Sequence, residues 1–171
     1  MIKPAIIFED ELKNKFRNIW FNDFYKYYDF GNYYEDIELA KDTWKTHQFV
    51  SIDKTDNIIG YISYDINRQT NNVYNFGIIS FEPFNLTFGK DLHKVIDDIF
   101  NKFNFHKLSF FVCTKNPIKS YYDRMTKKYN GRFIGIQYNE VKLVDNKLYD
   151  VALYELSKQS YNSVITKKHK N

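Results

Sequence analysis

Two stretches of this chain place phosphate-handling and proton-handling groups beside the start of a helix. The first is Pro83-Phe84-Asn85-Leu86-Thr87-Phe88-Gly89-Lys90-Asp91, which leads from an apolar segment into helical spacing. Amide N–H groups at a helix start hold phosphate oxygens, the helix dipole adds to their pull, and a glycine lets the backbone approach closely. Such donors need no particular side chain. Lys90 and Lys94 add positive charge, whereas the Asp91 carboxylate repels a phosphate unless it points away. The second stretch is Asn116-Pro117-Ile118-Lys119-Ser120-Tyr121-Tyr122. Asn116 reads as an N-cap, and Pro117 suits the first helical position. Tyr121 shares a helix face with Ile118 and Met125 and is expected to pack. Tyr122 is turned from it by about 100° and is the candidate for chemistry.

The remaining reactive side chains carry less. Cys113 is the one cysteine, so no intrachain disulfide forms. Its apolar neighbours, Leu108 to Val112, read it as a small buried hydrophobe and not as a nucleophile. His47 and His93 have no spacing that marks a site, and no metal site is expected.

The elements that position these groups follow from periodicity. Residues 3–8 read as a strand, and Glu9, Asp10 and Glu11 open a helix carrying Leu12, Phe16, Ile19 and Trp20. Aromatics continue through Phe21, Phe24, Tyr25, Tyr27, Tyr28 and Phe30 until Gly31. A second helix is expected over residues 34–47, with Ile37, Ala40 and Trp44. Strands over 48–53, 58–66 and 73–82 follow, joined by polar turns into an antiparallel meander. From Gly89 an apolar helical stripe runs through Leu92, Val95, Ile96, Ile99, Phe100 and Phe103. Residues 106–114 form a strand covered on both faces, 117–129 a helix ended by Asn130-Gly131, and 132–143 and 149–156 two closing strands. Residues 157–171 turn polar and read as a basic, solvated tail after a single domain of residues 1–156.

The order β-α-α-β-β-β-α-β-α-β-β, together with three local motifs, resembles the GNAT acyltransferase superfamily over residues 1–156. Family members carry Pro-x-x-Arg/Gln-x-x-Gly-x-Gly/Ala at the third helix. Pro83 and Gly89 match, Leu86 stands for the Arg/Gln, and Asp91 stands for the second small residue. The Asn116 to Tyr122 spacing is similar to the family's fourth helix. Gly131-Arg132-Phe133-Ile134-Gly135 and the Tyr149-Asp150 to Tyr154 spacing match its closing strands. The resemblance implies an α/β (α+β) fold with a mixed, mostly antiparallel sheet and helices on both faces. It also implies acetyl-coenzyme A as acyl donor and direct transfer to an amine on a small molecule or protein. Backbone N–H groups at Ile79, Ser80 and Phe81 would bind the thioester and pantetheine, and Leu86, Thr87, Phe88, Gly89, Lys90, Asp91 and Asn116 would complete the donor site. Tyr122 would protonate the leaving thiolate. Glu82 is the candidate base, with Asp65 or a water relay left open. A homodimer is compatible with all of this. The alternative is a GNAT-like binding or assembly module without turnover, which the departures at Leu86 and Asp91 allow.

Composition bounds the rest. The 171 residues fit one domain, and 43% hydrophobic residues, including 16 Phe and 15 Tyr, fill a core built on large rings. The net charge of +4 is unevenly spread, with acids in excess between Glu9 and Asp56 and bases in excess from Phe100 onward. This suits a cationic acceptor at one end and a polyanionic donor at the other. There is no arginine-rich arm or DNA-reading motif, which argues against nucleic acid. No stretch is apolar enough to span a membrane and the first residues lack a signal-peptide core, so a cytoplasmic location is expected.

Overall fold

Buried apolar residues between residues 46 and 80 build the centre of the molecule in the computed structural model, which describes residues 1–27, 36–82 and 84–168. Tyr28, Phe30, Gly31, Tyr34 and Pro83 lie outside the described residues. Strands β2 (Thr46–Ile52), β3 (Ile58–Asn67) and β4 (Asn72–Ser80) form the expected meander. Asp53 fixes its first turn by accepting from the N–H groups of Thr55 (2.7 Å) and Asn57 (3.1 Å). β1 (Ile2–Pro4) pairs with β2, and β5 (Lys107–Cys113), β6 (Arg132–Lys142) and β7 (Leu148–Ser157) complete one sheet in the order β1-β2-β3-β4-β5-β7-β6. Every neighbour pair is antiparallel except β4 with β5.

Helices cover both faces. α1 (Glu9–Ile19) opens on three acids, favourable at a helix N-terminus, and packs Leu12 and Phe16 on Val50, Tyr61 and Ile79. α2 (Leu86–Asp97), α3 (Lys119–Lys128) and α4 (Lys158–Lys168) bury Phe88, Leu92, Tyr122, Met125 and Tyr161 in a larger cluster on the other face, with Phe76, Leu108 and Phe110.

Three expectations change. The first strand stops at Pro4, and Ala5–Phe8 form a 3-10 turn, because Ala5 is buried while Ile6 and Ile7 are both exposed and alternation is lost. The helix expected over residues 34–47 is absent among residues 36–45. That segment runs along β2, and side chains satisfy its backbone: Gln48 donates to the Glu38 carbonyl and accepts from the Ala40 N–H, while Arg68 donates to the Thr43 and Trp44 carbonyls. Trp44, expected on that helix, is exposed and stacked under the Arg68 guanidinium. The C-terminal segment read as a solvated tail forms α4. Tyr161 anchors it, with its ring against Phe100 and Tyr129 and its hydroxyl on Asp97.

Candidate functional site

The parallel contact between β4 and β5 is two residue pairs long, Asn72 with Lys107 and Val73 with Leu108. Beyond it the strands part. The cause lies in β4, whose register against β3 shifts between Ser63 and Asp65. Opposite that shift Asn75 adopts a left-handed backbone (φ 51°), which asparagine tolerates, and its side chain donates to Asp65 at 2.9 Å. A cavity of about 130 Å³ fills the gap, lined by Gly77 and Ile78 of β4, Phe111 and Val112 of β5, Asn116 and Tyr122.

Sheet alternation decides which backbone groups face that gap. The Phe81 N–H donates to the Ile59 carbonyl at 3.0 Å, and the same register pairs Ile79 with Tyr61 and Ser80 with Gly60. Antiparallel pairs alternate between bonded and non-bonded, so Ile79 and Phe81 turn their N–H groups to β3. Ile78 and Ser80 turn theirs toward β5. Of the three expected donors, Ser80 is therefore suitably aimed, Ile79 and Phe81 are engaged in the sheet, and Ile78 joins the set. The Ser80 carbonyl accepts from the Tyr25 hydroxyl at 3.1 Å.

The gap widens toward the starts of α2 and α3, which follow the C-terminal ends of β4 and β5. α2 begins at Leu86, three residues before the expected Gly89, because Asn85 caps it. The Asn85 side chain accepts from the N–H groups of Thr87 (2.9 Å) and Phe88 (3.1 Å), and the Gly89 N–H bonds the Asn85 carbonyl at 3.1 Å. Asn85 also donates to the Glu82 carboxylate at 2.7 Å, which ties that exposed candidate base to the loop. A Cβ on Gly89 would meet nothing within 4 Å, so neither neighbours nor backbone conformation require a glycine there. The open space over Gly89 lets a phosphate approach the helix start closely, where Asn85 already holds the Thr87, Phe88 and Gly89 N–H groups. Leu86 and Lys90 are exposed beside it, whereas Phe88 is buried against Gly60. The Asp91 carboxylate points away from the gap, to the Ser51 hydroxyl (2.7 Å) on β2 and the Met1 amine (2.8 Å).

Asn116 is buried and shapes the turn into α3. Its side-chain oxygen accepts from the Ile118 N–H at 3.0 Å and its amide donates to the Tyr27 carbonyl at 3.4 Å. The helix proper starts at Lys119, so Asn116 closes an Asx turn ahead of it and not the expected N-cap. Tyr122 lines the cavity, and it is also the more buried of the two tyrosines, sharing a face with Met125 and Tyr129 and packing 5.1 Å from Phe110. Tyr121, expected in the core, is half-buried. Its hydroxyl has no hydrogen-bond partner, and burial pushes the phenol up to about 12. Cys113 is fully buried at the end of β5, and burial pushes its thiol up, which suits a packing role.

Of the residues around the gap, Tyr25 and Tyr27 belong to the aromatic stretch and Asn85 to the stretch of residues 83–91 read from the sequence, there without these roles, and the sequence did not single out Asn75. The N-cap signal of Asn85 before a helical run was available; the reach of Tyr25 and Tyr27 to Ser80 and Asn116 was not, since more than fifty residues separate the partners. No group of three or more His, Cys, Asp or Glu side chains is placed to hold a metal among the described residues.

By sequence, no protein-family model matches the chain, and no curated protein matches it. By structure it has close counterparts. A spermidine/spermine N-acetyltransferase from Vibrio cholerae superposes with a TM-score of 0.66 at 17% identity, covering 95% of this chain and 95% of that one. A chimera of the Vibrio cholerae spermidine N-acetyltransferase gives 0.61 at 20% identity over 71% of this chain and 74% of that one. A GCN5-related N-acetyltransferase from Brucella melitensis gives 0.68 at 12% identity, covering 95% of this chain and 77% of that one. Parted parallel strands in an otherwise antiparallel sheet, flanked by two helix starts, thus belong to a chain with the fold of the GCN5-related N-acetyltransferases.

Proposed function

We propose that this chain is an N-acetyltransferase that takes acetyl-coenzyme A into the β4–β5 gap and transfers the acetyl group to an amine in a ternary complex. The observation that carries the reading is the gap itself: backbone N–H groups of Ile78 and Ser80 are aimed across it, and space is open over Gly89 near the start of α2, the helix that follows β4. The pyrophosphate would lie at the start of α2, where the dipole favours negative charge. The Ile78 and Ser80 N–H groups would hold the pantetheine arm and the thioester oxygen, whose charge grows as the amine attacks.

In that step the amine nitrogen bonds the thioester carbon and the carbon–sulfur bond breaks. The thiolate takes a proton from the Tyr122 phenol, and the amine loses one to a base. A phenol near pKa 10 is a weaker acid than a thiol near 8.5, so Tyr122 can assist only in concert with bond breaking. Glu82 follows the C-terminal end of β4 and is tied to Asn85, so a water relay to it serves better than direct contact. The free, buried Cys113 suits a reducing compartment, and the reading places the enzyme in the cytoplasm.

One observation favours a second reading, a binding module without turnover: the Asn85 side chain already occupies two of the helix-start N–H groups that a phosphate would use. Calorimetry with acetyl-coenzyme A separates the two. Micromolar binding that weakens with salt supports the enzyme; no heat at millimolar acetyl-coenzyme A favours the module.

A further inference from the structure

A second cavity, of about 260 Å³, adjoins the first at the closed end of the β4–β5 gap and shares Asn75 and Phe111 with it. It lies on the other face of the sheet. Val73, Leu108 and Phe110 point into the cluster under α2 and α3, so strand alternation turns Tyr74, Ser109 and Phe111 to the opposite side. The cross-strand partners of Phe111 and Ser109 are Leu153 and Glu155, which complete the wall together with Ile134. Tyr74 and Ile134 are 42% and 48% exposed, and no described helix covers this half of the face.

The wall is apolar apart from Asn75, Ser109 and Glu155. Glu155 is its one carboxylate, and two cations already share it: the Arg132 Nε donates to it at 2.8 Å and Lys107 sits at 4.0 Å. Beside the wall, Asp65 pairs across the strands with Tyr74 and accepts from Asn75 at 2.9 Å, so among the described residues two carboxylates face two cations, and both cations belong to Glu155. A polyamine would bring several cations to a place where, among the described residues, Asp65 alone is a carboxylate without a cation, enough for one ammonium and not for more. A single amine on an apolar body would lay that body on Tyr74, Phe111, Ile134 and Leu153 and present its nitrogen at the Asn75–Phe111 junction, toward the thioester.

We infer that the acceptor is a monoamine with an apolar, ring-sized body, and that Ile134 and Leu153 help select it; this rests on the acetyltransferase reading above. Phenethylamine and spermidine are the probes. With acetyl-coenzyme A saturating, phenethylamine is expected to release coenzyme A with a kcat/KM at least tenfold above that of spermidine. Ile134→Glu, on an exposed edge strand, should lower the phenethylamine value roughly tenfold, the scale of one lost apolar contact in a specificity pocket. Its Kd for acetyl-coenzyme A should not change. A preference for spermidine, or equal use of both, in a protein that binds acetyl-coenzyme A overturns the inference and leaves the acetyltransferase reading standing. If acetyl-coenzyme A gives no heat, that reading falls instead, and the methyl resonances of Ile134 and Leu153 decide the inference. Their shift with phenethylamine and not with spermidine supports the apolar amine site, and no shift at millimolar phenethylamine overturns it.

Discussion

Gly60 sits on β3 beneath the first turn of α2, and a Cβ there would lie 2.3 Å from the Phe88 ring. Ordinary contact begins at 3.4 Å, so in Gly60→Ala the ring must retreat by about 1.1 Å. Phe88 is 7% exposed, packed in the main core, and has little room to do so. Overpacking of this kind costs about 1–3 kcal/mol. For a chain of this size each 1 kcal/mol moves the melting temperature by roughly 2–4 °C, so about 2 kcal/mol predicts a fall of roughly 4–8 °C. The assay is thermal melting followed by circular dichroism on four proteins: wild type, Gly60→Ala, Phe88→Leu and the double variant. Leucine lacks the ring that clashes, so the double variant should recover part of the loss on top of the Phe88→Leu background. Because Phe88 is in the first turn of α2, Gly60→Ala should also weaken acetyl-coenzyme A binding by displacing the helix start at Gly89. A Gly60→Ala protein melting within a degree of wild type, or a double variant whose losses simply add, would refute the close contact between β3 and α2.

Four further outcomes are expected. Tyr122→Phe should lower kcat by roughly tenfold to a thousandfold while the Kd for acetyl-coenzyme A holds, measured by coenzyme A release and calorimetry. Tyr121→Phe removes a buried hydroxyl that has no partner, so it should leave the melting temperature unchanged or raise it, whereas a marked fall would reveal a bond at that hydroxyl. Asp91→Ala should not tighten acetyl-coenzyme A binding, because the carboxylate faces Ser51, and should cost about 1–2 kcal/mol in urea unfolding. His47 is buried between the Tyr64 hydroxyl at 2.6 Å and the Thr43 carbonyl at 3.1 Å, and burial holds its pKa below the ordinary value. The unfolded chain then takes up a proton near pH 6.5 that the folded chain resists, so stability should be full above that pH and fall as pH drops below it. Urea midpoints at pH 7.5 and 5.5 check this, and His47→Gln should flatten the difference.

Much of this architecture is legible from local patterning alone. Runs split by short polar turns mark β2 to β4, the stripe from Leu92 to Ile96 marks α2, and Asn130-Gly131 marks the end of α3, because each signal is complete within a dozen residues. The segment over residues 36–45 misled for the same reason in reverse. Ile37, Ala40 and Trp44 have helical spacing, yet Gln48 and Arg68, which bind its backbone, lie on β2 and beyond β3. Tyr161 likewise gives α4 its anchor only once Asp97, Phe100 and Tyr129 are folded beneath it.

The candidate site divides along the same line. Residue types and spacing by themselves determined that the stretch of residues 83–91 and a turn at Asn116 each open a helix, and that Tyr122 follows within two turns. Which amides face the gap was decided by the β3–β4 register, since moving one residue along a strand reverses the direction of its N–H. Where the Asp91 carboxylate points was decided by Ser51, forty residues away, and how far β4 and β5 part was decided by the irregularity at Asn75. A sequence specifies direction over one turn or one strand; only packing between distant segments settles which groups meet.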